Sequence, residues 1–560
     1  MIKNQALAEQ VLTIMNTMIG VVEELQSALE NDKMEEFSEK GIVLFQVVKS
    51  IEGVADSLKK EEDGLNLPQA IASVKYSLAR ILKLGQKDVA TAKRKLEFEL
   101  LPLIQEMRSS FYFWGMVYPD EERKQNYYLH DIHIIGGNDY TKKSMSENKY
   151  KYDLSIIVLA YNKIEYTKKC LESLYRYLPE NISYEIILVN HGSTDGTKEL
   201  FELYHPNKQL DVAQNGGGAS AVYRITEGKY VMMISNDVLV TKNAIENTYR
   251  CIDSDEKIAW VVPTTPNVSN FQTIPVQHTT FEEMEIFAEK NNVSDEYRWE
   301  QRVRLCNPID IVRADFLEKT KTQYVLHAKN RMSFPDDKRS LICRRSGYKM
   351  CLAKDAYCFH FGSVTLKEDD TINSSIQYNK GRELFKQAYG IDPWTPSCCF
   401  SPKLIAELDC KNKNEVSILG VECGLGSNPL KIKEKIKENV HNTSCYIKNY
   451  LLSDTFLEDI SGVSDEAYVI NEVAELSKIK GKFDYIVDEY ALKTEQEWSN
   501  HYNNTKALLK PGASLIMLVS NNIISNVLEK CKKLEKEVKT VANGRGDLWP
   551  FEYTWVILHS

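Results

Sequence analysis

Four groups of residues in this sequence have the types and spacing to do chemistry. Asp237 closes the apolar run KYVMMISND, a lone carboxylate where a strand would end. Asp336-Asp337, in FPDDKRS, is a paired carboxylate, suited to general-base work when one member reaches a hydroxyl. The same pair also suits the first turn of a helix, where the macrodipole favours acids. His360, in CFHFGS, offers an imidazole as ligand or phosphate contact, or packs on an apolar edge. Two glycine segments let backbone come close to a ligand. They are NGGGASA, carrying Gly217 and Gly218, and ECGLG, carrying Glu422, Gly424 and Gly426.

The elements that must position these residues follow from periodicity. Leu154 to Leu159, Tyr184 to Val189 and Lys229 to Ile234 are β-branched apolar runs that predict buried strands. A helix is expected from Ile164 to Tyr177, and another opens at Ser193-Thr194-Asp195-Gly196. Strands alternating with helices predict a parallel α/β unit, whose ligands gather at the carboxyl ends of its strands. Ahead of it, Leu7, Val11, Ile14, Met18, Val21, Leu25 and Leu29 recur at helical spacing. Three more such segments follow: Val43 to Leu58, Pro68 to Gly85 and Val89 to Ile104. Pro68 suits a helix's first turn and Gly85 a helix's end. Residues 1–112 are therefore expected to form a helical bundle that serves structure, docking or oligomerisation. Residues 113–150 are expected to be a linker, with His130 and His133 as ordinary surface histidines. A second α/β unit is expected over 401–560.

Composition bounds the reading. A chain of 560 residues is too long for one core. Hydrophobic content of 43% fits a folded protein, and a formal charge of -9 gives no reason to expect nucleic-acid binding. No apolar run is long enough to span a membrane, and MIKNQALAEQ opens no signal peptide. The 12 cysteines lack CxxC pairs, which points to reduced thiols in a cytoplasm, with a Cys398–Cys399 disulfide as the minor alternative.

An ordered run of segments makes the middle of the chain specific. SIIVLAYNK, ILVNHGSTDGT, a glycine turn after an asparagine, a strand ending in a short acidic motif, LCNPIDIVRADFLEKT, FPDDKRSLICRRSGYKM and AYCFHFGSVTLKE resemble a family-two glycosyltransferase with the GT-A fold. The resemblance implies a transferase domain over 151–400. It implies inverting transfer of a hexose or N-acetylhexosamine, GlcNAc above others, from a UDP-sugar to a hydroxyl acceptor. Ala160, Tyr161 and Asn162 would meet the base. Asn190 stands where the family commonly has an aspartate, and Gly217 and Gly218 would lie against the nucleotide. Ser235-Asn236-Asp237 replaces the family's DxD, so Asp237, with His360, would hold Mn²⁺ or Mg²⁺. Asp337, or else Asp336, would be the catalytic base, and FxDD spacing favours Asp337. Chains of this kind resemble those that modify flagellin or surface glycans, so the acceptor is a protein Ser/Thr or a glycan. A polysaccharide or lipid-linked acceptor is the alternative.

NEVSILGVECGLGSNPL, KFDYIVDEYAL and LLKPGASLIMLV resemble a class I S-adenosylmethionine methyltransferase, which implies a Rossmann-like domain over 401–560. The family's acid after its second strand is missing, since CYIKNYLL offers Asn449. A bifunctional enzyme and a non-catalytic domain serving acceptor binding or dimerisation both remain open.

Overall fold

The computed structural model describes residues 5–55, 67–113, 116, 150–211, 222–223, 225–320, 334–362, 374–410, 413–534, 537–544 and 549–559. The linker histidines His130 and His133, and Gly217 and Gly218, lie outside them.

The N-terminal unit is helical, as its periodicity predicts. It comprises α1 (Gln5–Glu30), α2 (Met34–Ala55), α3 (Leu67–Gly85), α4 (Val89–Lys95) and α5 (Leu101–Tyr112). In α1, Val11, Met15, Met18, Val22, Leu25 and Leu29 form the buried face. Asp88 caps α4, its side chain accepting from the Thr91 N–H at 3.0 Å. A π turn, Leu96–Leu100, separates α4 from α5. Its wider turn leaves Leu96 and Leu100 in the bundle core and sends Phe98 outward. Phe98 packs on Phe281 and Phe359 of the next unit, with ring centroids 4.7 and 4.3 Å away. Buried Glu106 of α5 accepts from the Glu165 N–H at 2.8 Å. The bundle is thereby seated on the start of the next unit's first helix.

That unit is built on an eight-stranded mixed sheet, in the order β3-β2-β1-β4-β8-β6-β9-β7. The strands are β1 (Tyr152–Ala160), β2 (Tyr184–Asn190), β3 (Lys208–Asp211), β4 (Gly228–Ser235), β6 (Ile258–Thr264), β7 (Trp299–Arg302), β8 (Ile309–Arg313) and β9 (Lys349–Tyr357). β1, β2, β3 and β4 are mutually parallel, while β8 runs antiparallel to both β4 and β6. A separate ribbon pairs β5 (Val238–Leu239) with β10 (Phe359–His360). The helices are α6 (Ile164–Arg176), α7 (Thr197–Leu203), α8 (Ala244–Asp253), α9 (Phe281–Asn291), α10 (Ala314–Thr320), α11 (Pro335–Arg345) and α12 (Ser374–Tyr389). Apolar side chains on the two sheet faces form separate cores, one under α6 and α8, the other under α10 and α11.

The third unit has a seven-stranded sheet, in the order β13-β12-β11-β14-β15-β17-β16. Its strands are β11 (Glu415–Val421), β12 (Ser444–Leu451), β13 (Glu466–Val469), β14 (Phe483–Leu492), β15 (Leu509–Ser520), β16 (Glu537–Ala542) and β17 (Tyr553–His559). The first five are parallel, and β17 is antiparallel to both its neighbours. This is the doubly wound Rossmann order with one antiparallel strand inserted near its edge. The helices α13 (Pro402–Glu407), α14 (Ser427–Val440), α15 (Leu457–Ser461), α16 (Glu495–Lys506) and α17 (Ile524–Leu534) complete it. All twelve cysteines are free thiols, Cys398 and Cys399 included.

Gly228 shows how tightly β1 and β4 approach. A Cβ there would lie 2.4 Å from the Ser155 backbone nitrogen. Gly228→Ala should therefore part these strands and cost about 1–3 kcal/mol of stability. Denaturant unfolding of the full chain reads this, and an unchanged midpoint would contradict it.

Candidate active site

Register brings three strand ends level. β1 lies between β2 and β4, with Ala160 opposite Asn190 and Leu159 opposite Ser235. The chain leaves β1 through two left-handed residues, Asn162 (φ 53°) and Lys163 (φ 64°). Three asparagines fix the loops here. The Asn162 side chain accepts from the Thr194 N–H at 2.8 Å. Asn190 accepts from the Ser193 N–H at 2.8 Å and donates to the Asp211 carboxylate at 3.0 Å. Asn236 donates to the Asn162 carbonyl at 3.0 Å and the Thr167 hydroxyl at 2.8 Å. Asn162 and Asn190 are thus engaged behind the wall, while Ala160, Tyr161, Ser235 and Asn236 line a cavity.

The β5–β10 ribbon sets the next pair. His360 lies opposite Val238, and the Phe361 N–H donates to the Asp237 carbonyl at 3.0 Å. The His360 Nε2 consequently stands 3.3 Å from the Asp237 Oδ2, with both side chains buried. They line the same cavity.

The opposite wall is the start of α11. Phe334 is left-handed (φ 53°), Pro335 opens the helix, and Asp336 and Asp337 sit in its first turn. The two acids have different surroundings. Asp337 is buried and ion-paired, its Oδ1 accepting from the Arg304 Nε at 2.6 Å. Asp336 is half-buried and faces the cavity, with the Asn307 N–H 3.4 Å away. Burial first, and the Asp337 charge second, push the Asp336 carboxyl up to about 7. Burial also raises Asp337, and the Arg304 guanidinium opposes that shift.

The cavity between these walls measures about 780 Å³, within the range of small-molecule sites. It draws in residues that the sequence did not mark, including His191, Arg304, Tyr378 and Trp394. Trp394 packs 5.0 Å from the Phe334 ring and lies under the Arg382 guanidinium. Arg382 is itself held by Asp392 at 2.8 and 2.7 Å. His191 follows Asn190 in ILVNHGSTDGT, while Arg304, Tyr378 and Trp394 carry no local signal.

The comparisons with known proteins meet this geometry at the strand ends. Residues 155–301 match the family Glycosyl transferase family 2. This stretch is a family 2 glycosyltransferase domain. Minor teichoic acid biosynthesis protein GgaB of Bacillus subtilis is 31% identical over 116 residues, 20% of this chain and 13% of that protein. Poly(ribitol-phosphate) beta-N-acetylglucosaminyltransferase TarS of Staphylococcus aureus is 28% identical over 106 residues, 18% of each chain. The chain thus spans less than a fifth of the length of these two curated relatives. An rRNA methylase structure from Streptococcus thermophilus is 12% identical, with a TM-score of 0.21, covering 28% of this chain and 91% of that one.

Asp237 and His360 are the residues here that could hold a divalent cation. Among the described residues no group of three or more His, Cys, Asp or Glu side chains could hold a metal. One carboxylate and one imidazole at 3.3 Å suit a cation that takes its other ligands from phosphate and water.

The environment of Asp336 yields a direct titration test. Its carboxyl should titrate near pH 7 by carboxylate-resolved NMR or infrared difference spectra. Asp337→Asn removes the neighbouring negative charge and frees Arg304, so it should move that titration downward. An upward shift would contradict the assigned cause.

Proposed function

We propose that the domain transfers a hexose or N-acetylhexosamine from a UDP-sugar to a hydroxyl acceptor, with inversion. One observation carries this reading. Asp237 with His360, and Asp336, line opposite walls of one cavity, and Asp237 lies within the stretch that matches Glycosyl transferase family 2. The nucleotide would lie along the ends of β1 and β4, with Tyr161 against the base. Asp237 and His360 would hold Mn²⁺ or Mg²⁺, and the bound cation neutralises charge on the leaving diphosphate.

The acceptor hydroxyl would approach from the α11 wall, where Asp336 takes its proton. Asp336 rather than Asp337 is the base in this reading, for two reasons. Asp336 faces the cavity and its carboxyl is pushed up to about 7, whereas Asp337 is committed to Arg304. This differs from the preference that FxDD spacing gives. The names of GgaB and TarS support a teichoic acid, poly(ribitol-phosphate) or other glycan acceptor. Ser or Thr of flagellin is the alternative.

Turnover of UDP-GlcNAc, UDP-glucose and GDP-mannose with and without Mn²⁺ tests the donor. Cation-dependent turnover of a UDP-sugar is expected, and loss of all three would sink the reading. Asp336→Asn should lower transfer by about 10²–10⁴-fold. Asp337→Asn should retain turnover. In the wild type the rate should rise with pH through about 7, as Asp336 loses its proton. In Asp337→Asn that rise should come at lower pH. Retained turnover in Asp336→Asn with loss in Asp337→Asn would move the base to Asp337.

A further inference from the structure

The Rossmann-like unit has a glycine loop where its fold would place a cofactor. The strand order reverses between β11 and β14, and ligands of doubly wound sheets bind outside that switch point. The loop after β11 carries Glu422, Gly424 and Gly426, which is where the resemblance implies S-adenosylmethionine. The residues present do not fit that group.

Ser397, in the strap leading out of the transferase domain, already fills the cradle. Its Oγ accepts from the Leu425 N–H at 3.1 Å. A Cβ on Gly424 would lie 2.3 Å from the same Oγ, so the glycine accommodates the chain's own serine. The Glu422 carboxylate accepts from the Leu452 N–H. On β12, the Asn449 side chain is buried and donates to Ser464 at 2.7 Å, so this position offers a ribose an engaged amide in place of a carboxylate. The remaining hollow measures about 190 Å³, below the ~300–1,000 Å³ of small-molecule sites.

The same unit grips the transferase domain elsewhere. Asp459 of α15 is wholly buried and bridges two arginines at the end of α11. The Arg344 Nε and Nη2 donate to one of its oxygens at 2.9 and 2.6 Å. The Arg345 Nε and Nη2 donate to the other at 3.0 and 2.8 Å. Backbone follows closely, for a Cβ on Gly462 would lie 2.6 Å from the Arg344 carbonyl oxygen. On a second face, Lys431 of α14 pairs with buried Glu300 of β7 at 2.6 Å. The helix held at its far end by Asp459 is the one whose first turn carries Asp336.

We propose that residues 401–560 bind no S-adenosylmethionine and act as a clamp, with Asp459 a positioning residue for the transferase reaction. The clamp rests on the reading of Asp336 as the base. Calorimetry of the full chain with S-adenosylmethionine should give no heat at millimolar ligand, and micromolar binding would overturn the first half. Asp459→Asn should lower turnover of a UDP-sugar tenfold or more while UDP affinity stays within twofold, since the nucleotide wall is on β1 and β4. Hydrogen exchange in residues 335–345 should rise in the same variant. Wild-type turnover with wild-type exchange would overturn the clamp. Should Asp459→Asn not fold, Arg345→Gln removes only the half-exposed arm and is read in the same two ways. If the wild type turns over no UDP-sugar, the proposed function fails, and exchange in 335–345 still decides the clamp.

Discussion

The parallel register of β1 between β2 and β4 is the constraint on which the rest depends. It is enforced by a nearly continuous apolar face: Leu154, Ile156 and Val158 pack under α6 and α8. A slip by one residue would turn these side chains to the opposite face. With the register fixed, Ala160, Asn190 and Ser235 end at one level, and the loops that follow must share one edge. Asparagine is the residue that joins them. It both donates and accepts, and it tolerates the left-handed backbone that Asn162 adopts.

The second wall depends on a different kind of force. Asp336 and Asp337 are adjacent in sequence, yet one faces open space and the other a guanidinium. Like charges so close resist joint ionisation, and burial adds to that resistance. Arg304 breaks the symmetry by pairing with Asp337, which leaves Asp336 the carboxyl that holds its proton near neutrality. A strand edge and a helix start thereby become the two sides of one cavity.

In the C-terminal unit a glycine pattern also serves packing. Gly424 has a positive φ and no room for a side chain, both requirements of a phosphate or cofactor loop. Here the lack of room is imposed by Ser397. Asp459 of this unit faces arginines of the transferase domain, and its Lys431 faces buried Glu300 of β7, so these charges meet each other rather than water. Removing one partner of such a pair leaves an uncompensated buried charge, so the two domains hold each other.

Much of this architecture was legible in the residues themselves. The Rossmann-like unit was implied by its resemblance to methyltransferases, while the bundle helices and the strands β1, β2 and β4 follow from apolar periodicity, a local property that burial enforces. Asp237 could be placed at a strand end for the same reason. The edge strand β3 and the antiparallel direction of β8 could not be read, because pairing is set by distant neighbours. Nor could the sequence choose between Asp336 and Asp337, since Arg304 lies far upstream and reaches them only in the fold. Tyr378, Trp394 and Ser397 come from a segment with no motif, and only tertiary packing brings them to the two cavities. Sequence alone determined which elements form and which ends carry reactive groups. The tertiary structure decided which groups meet, because charge pairing and exclusion of space act between residues that the chain keeps far apart.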